Sequence, residues 1–266
     1  MNPFKFERIS INKGITRDFV DSDTIGLEDT FLFSCKGCGK CCKNRDYINL
    51  TAYDVYRAAQ YLGRTHEEFI TQYGTVFQSE SLVPTVALTM RAGTCPFLRN
   101  KKCAIHQTKP CACRFYPLGR EFFPGNASSR FIQNKSNCHH IPQEIAVRDW
   151  IGDFSTEEAE QIGWLWSNTY SCISYTLQLS GTYTTAPAKI KKLILRVIFI
   201  DMYLNYDTEK PFRAQLEVNA QCIQTTLREM HSICVDKPDD FDKVLKEEVL
   251  SSDPRYELEF GINTPF

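Results

Sequence analysis

The chain has 266 residues, with a hydrophobic fraction of 42%, a charged fraction of 24% and a formal net charge of −1. That length suffices for a substantial buried core in one large domain or two small ones. The near-neutral balance gives no basic excess of the kind that recruits nucleic acid or an anionic membrane, so neither is an expected partner.

At the N-terminus, Lys5, Glu7 and Arg8 interrupt every apolar run of MNPFKFERIS, and no secretory leader is predicted. The most apolar stretch, Leu193 to Leu204, carries Arg196 and Asp201. It falls short of the about 20 apolar residues of a spanning helix. The expected localisation is cytoplasmic. In a reducing compartment, clustered cysteines point to metal or catalysis rather than to disulfides.

Of the 12 cysteines, nine fall between Cys35 and Cys138: Cys35, Cys38, Cys41, Cys42, Cys95, Cys103, Cys111, Cys113 and Cys138. The first motif is Cys35-Lys-Gly-Cys38-Gly-Lys-Cys41-Cys42. Two CxxC steps bring three soft donors together, and Gly37 and Gly39 let the backbone turn and direct N–H groups at sulfur. The spacing is similar to the C-x2-C-x2-C run of bacterial ferredoxins. Adjacent side chains diverge by about 100° on a helix, so Cys41 and Cys42 are expected to reach two metals or two edges of a polynuclear cluster. A redox dithiol would require a βαβ context and leave the other cysteines idle.

Thr51 is placed to cap a helix carrying Tyr53, Val55, Tyr56, Ala59 and Leu62, stopped at Gly63. Thr65 and Glu68 form a capping box for a second helix with Phe69, Ile70 and Tyr73. From residue 84 to 135 the helical signal disappears. Val86, Leu88 and Met90 suggest a short strand, and prolines and glycines punctuate the rest. The second motif lies there: Cys95-Pro-Phe-Leu, Cys103-Ala-Ile-His106, and Lys109-Pro-Cys111-Ala-Cys113-Arg114-Phe-Tyr116-Pro117. Arg114 is placed to offset the negative charge of a cluster cofactor or to bind an anionic ligand. Cys138, followed by His139 and His140, completes the set.

Beyond Pro142 the pattern becomes helical. Ser155 and Glu158 mark the start of a helix with Ile162, Leu165, Trp166 and Tyr170. Residues 187–205 and 211–234 read as long helices, and 241–250 as a short one. Leu216, Ala220, Ile223, Thr226 and Leu227 form one stripe. Trp164, Trp166 and Tyr170 read as core, as do Cys172, Cys222 and Cys234. The predicted fold is mainly α: a loop-rich cysteine-cluster module over 1–142, followed by an α-helical region over 143–266 packed against it.

The ordered pattern across residues 33–140 resembles the YkgJ-type cysteine-cluster family of zinc- or iron-chelating domains, which is related to flagellin lysine N-methylases. The resemblance implies metal ligation by Cys35, Cys38, Cys41, Cys42, Cys95, Cys103, Cys113 and Cys138. Cys111 sits where the family pattern is permissive, and His106 stands where the family carries tyrosine. His139 and His140 read as solvent-facing. The methylase branch implies an iron–sulfur cluster and methyl transfer from S-adenosylmethionine to a protein lysine. The Cys doublet and that branch favour 4Fe-4S clusters, with zinc as the alternative, since thiolates suit both. A non-catalytic chelator and an electron-transfer partner are the other functions compatible with the motifs.

Overall fold

Local capping accounts for the first two helices in the computed structural model, which describes residues 24–43, 45–78, 81–122, 129–136, 141–179, 183 and 188–236. In α1 (Ala52–Leu62), Thr51 Oγ1 accepts from the Asp54 N–H and Asp54 accepts in return from the Thr51 N–H. Gly63 ends the helix at φ 62°, the left-handed conformation that glycine adopts without a Cβ penalty. Thr65 and Glu68 build the same reciprocal cap on α2 (His66–Tyr73). The helix predicted at 241–250, together with Cys138, His139 and His140, lies outside the described residues.

Strands β2 (Asn49–Leu50), β3 (Gly74–Gln78) and β4 (Pro84–Leu88) form an antiparallel sheet in the order β2-β4-β3. All five residues of β4 are buried, and Met90 lies beyond its end. The predicted alternation is therefore replaced by continuous burial, because a helix from the second half of the chain covers this strand. Two hairpins follow: β5 (Leu98–Arg99) with β6 (Lys102–Cys103), and β7 (Leu118–Phe122) with β8 (Ser129–Gln133). Strand β1 (Thr30–Phe33) pairs antiparallel with β9 (Gln143–Ala146), in the register Thr30↔Ala146.

The remaining helices are the short α3 (Cys111–Phe115) and α4 (Val147–Ile151), then α5 (Glu157–Leu179), α6 (Ala188–Phe199) and α7 (Phe212–Asp236). A π turn over Ile200–Leu204 extends α6. Helix α5 starts one residue later than predicted: Thr156, rather than Ser155, accepts from the Ala159 N–H at 3.2 Å. The stripe on α7 buries Leu216, Ala220, Ile223 and Leu227. Cys222 is exposed and Cys172 half-buried, so neither is the fully buried core residue expected.

The larger core cluster draws on both sides of Pro142, from Ile48 to Ile105 and from Ile162 to Leu227. Tyr203 fastens the two together. Its hydroxyl donates to the Leu50 carbonyl at 3.1 Å, and its own carbonyl accepts from His66 Nδ1 at 2.8 Å. Burial holds His66 at a pKa of about 4, so the ring stays neutral between the rings of Tyr56 and Tyr206. A second cluster around Phe31, Phe33, Phe115, Phe131, Val147 and Phe154 supports α3.

The fold is thus mixed α and β rather than mainly α, with its sheet content in small antiparallel pieces. No described helix is long and apolar enough to cross a membrane.

Candidate metal centre

The first cysteine motif is shaped by its glycines. Gly37 and Gly39 sit at φ 63° and 70°, and the Gly37 N–H donates to Cys35 Sγ at 3.4 Å, as the sequence predicts. A Cβ at Gly39 would lie 3.1 Å from Leu98 Cδ1, so glycine also permits the close approach of the β5 hairpin. The chain then enters a 3-10 turn over Lys40–Cys42.

That turn brings the two doublet sulfurs closer than the divergence of adjacent side chains on a regular helix suggests. Cys41 Sγ and Cys42 Sγ are 4.0 Å apart. Two thiolates on one tetrahedral ion, with bonds of about 2.3 Å, stand about 3.8 Å apart. The adjacent side chains therefore converge far enough to share a single ion.

Long-range pairing brings the second motif alongside. The Cys95 N–H donates to the Cys42 carbonyl at 2.9 Å. Cys103 ends the β5–β6 hairpin, whose tight turn places Asn100 and Lys101 at φ 48° and 64°. Helix α3 is tied to α1 through the buried Asp54, which accepts from the Cys111 N–H at 2.7 Å and from the Cys111 thiol at 3.3 Å. Two residues on, Cys113 faces a cavity of about 230 Å³ that is also lined by Cys41, Cys42, Arg45 and Tyr116. The Arg45 guanidinium lies 5.3 Å above the Tyr116 ring.

The electrostatics separates Cys111 from its neighbours. Burial, reinforced by the adjacent Asp54 carboxylate, raises the Cys111 thiol well above its ordinary range. It stays protonated and spends its proton on Asp54. Asp54 is itself raised, chiefly by burial. Cys113 is pushed up by burial and by the charges of Cys95, Asp54, Cys103 and Cys41, a mutual repulsion expected of thiols gathered in one region. Burial likewise raises Cys95 and Cys103. Cys41 and Cys42 share a hydrogen bond that favours one thiolate per pair. Cys41 is lowered by that bond and by the charges of Lys109 and Arg45, whereas Cys42 is raised.

The predicted ligands are thus unequally assembled. Cys41, Cys42 and Cys113 line one cavity, with Cys95 and Cys103 close enough to sense their charge. Cys35 is exposed and Cys38 half-buried on the loop leading in. Cys138 lies outside the described residues. Among the described residues, no three His, Cys, Asp or Glu side chains stand at ligating distance from one point. Drawing the thiols onto one ion requires a local shift of the irregular segments that carry them. None of the described cysteines forms a disulfide.

Arg114 follows Cys113 on α3, and its Nε donates to the Ile151 carbonyl at 3.0 Å. Asp54 was not legible as part of the site. Its place after Thr51 signals a helix cap, but its second partner is 57 residues away.

Residues 34–139 match the family model CxxCxxCC, described as "Putative zinc- or iron-chelating domain", the family whose motif pattern the sequence resembles. No match was found among curated proteins or among solved structures.

Proposed function

We propose that this protein binds zinc or iron in a mononuclear thiolate centre at the cavity shared by Cys41, Cys42 and Cys113. Cys95 or Cys103 would supply the fourth donor. The observation that carries this reading is the 4.0 Å separation of the doublet sulfurs beside a third thiol. Sulfurs bound to two corners of a polynuclear cluster radiate outward and stand further apart than two ligands of one ion. The geometry therefore favours a single ion over the 4Fe-4S cluster inferred from the motif. The donor set fits either metal, since thiolates serve both.

The centre would act chiefly by holding together a module with little regular structure of its own, in a structural, storage or delivery role. Cys35, Cys38 and Cys138 are available for a second ion. Methyl transfer from S-adenosylmethionine draws less support. Every described strand pair is antiparallel, which offers no parallel-sheet switch point for a Rossmann-type cofactor site.

Anaerobic purification followed by elemental analysis and visible absorption tests this reading. The expected result is at least one zinc or iron per chain without equivalent inorganic sulfide. Iron with matching sulfide and broad visible absorption would replace the single ion with a cluster, and a metal-free protein would defeat both readings.

A further inference from the structure

A second cavity lies against α3, at Arg114, the residue next to Cys113. Its volume is about 150 Å³, and Arg57, His106, Lys109, Arg114, Asp153 and Phe154 are among its lining residues. Three of these are permanent cations brought from separate places: Arg57 from α1, Lys109 from the segment before α3, and Arg114 from α3 itself.

Both guanidinium groups are fixed in advance. The Arg57 side chain is only 15% exposed. Its guanidinium lies 4.6 Å over the Phe154 ring and 5.6 Å from that of Tyr53, and one of its nitrogens donates to the Gln107 carbonyl at 3.2 Å. Arg114 is held by the Ile151 carbonyl through Nε. It also packs on Gly152, which sits at φ 58° and where any Cβ would collide with the guanidinium. The terminal nitrogens of Arg114 and the Lys109 ammonium have no acceptor among the described residues. Among the described residues, the one carboxylate lining the cavity is Asp153, 3.4 Å from Arg57 with a side chain 85% exposed.

We propose that this groove binds a phosphate group, either as the free ion or carried on a small phosphomonoester. Three cations against one carboxylate leave an excess of two positive charges, which a phosphate of about −1.5 to −2 balances at neutral pH. Donors converging from three directions suit a tetrahedral oxyanion better than the two coplanar oxygens of a carboxylate. Two prepositioned guanidinium forks reduce the ordering cost of capturing it.

The test is calorimetric titration of the purified full-length chain, at fixed ionic strength, with inorganic phosphate and separately with glycerol 3-phosphate. Saturable one-site binding is expected, and the tighter of the two probes identifies the source. Lys109→Gln should weaken binding by about tenfold, the effect of losing one charge-assisted contact. Asp153→Asn should tighten it, because the competing carboxylate is gone. Absence of saturable binding to either probe, or a Lys109→Gln variant that titrates like the parent, would overturn the proposal. Failure to find metal would count against the thiolate centre and leave this inference standing.

Discussion

Removing the metal with a strong chelator is expected to cost the cysteine module on the order of 10 kcal/mol, the scale of a structural thiolate site. The segments between Phe33 and Asn49, and between Leu88 and Cys111, contain only short helical turns and the two-residue strands β5 and β6. With so little ladder hydrogen bonding, their order depends on the ion that draws the thiols together. The loss should appear as a fall in thermal midpoint of roughly 20 °C or more and as rapid amide exchange at Cys42 and Cys95. The helical signal of α5, α6 and α7 should largely persist. The pH dependence has a definite sign. Burial raises Cys95, Cys103 and Cys113, so these thiols are protonated without metal near neutrality, and Cys113 and whichever of Cys95 and Cys103 is the fourth donor must release a proton on ligation. Metal affinity should therefore rise as pH rises toward the thiol range and fall as pH drops. An unchanged midpoint after complete chelation would show that the module is held by its apolar core alone.

Glu160→Ala is expected to destabilise the fold by about 3–5 kcal/mol, the cost of orphaning one member of a buried ion pair. Glu160 accepts from Arg120 Nη2 at 2.9 Å and from the Ser129 N–H at 2.9 Å, which joins α5 to both strands of the β7–β8 hairpin. The two side chains are only 11% and 12% exposed. Arg120 is pinned between the rings of Phe115 and Phe122, and burial already lowers its pKa against the pull of Glu160. Deleting the carboxylate leaves the buried Arg120 charge with only the Ser129 hydroxyl, at 3.1 Å from Nε, and leaves the Ser129 N–H without its acceptor. Glu160→Gln keeps an acceptor for Ser129 and should cost less. Denaturant unfolding of the three proteins gives the comparison; a loss below about 1 kcal/mol for the alanine variant would place the pair in the weak, screened class of surface bridges.

These two results bear on different levels of legibility. Capping and stripe patterns are local, so α1, α2 and α7 could be read from Thr51, Thr65, Gly63 and the apolar spacing of Leu216 to Leu227. The strands were harder. Strands β5 and β6 are too short for any alternation, and β7 and β8 lie in a stretch whose prolines and glycines read as loop. Strand β4 hides its period because both faces are covered. In the site, the positive φ of Gly37 and Gly39 followed from the spacing of the first motif. What spacing could not show was the partner of each side chain. Asp54 captures Cys111, Ile151 and Gly152 claim Arg114, and the 3-10 turn brings Cys41 and Cys42 together instead of apart. Each of these depends on a residue far along the chain or on a local turn that a generic helix or strand does not describe.

The division of labour between Cys113 and Cys111, two residues apart on α3, is the most direct test of the metal centre. Metal content per chain should fall sharply in Cys113→Ser, which loses a thiol facing the Cys41–Cys42 cavity. It should match the parent in Cys111→Ser, whose hydroxyl still reaches Asp54. Full metal occupancy in the first variant, or loss confined to the second, would contradict the account.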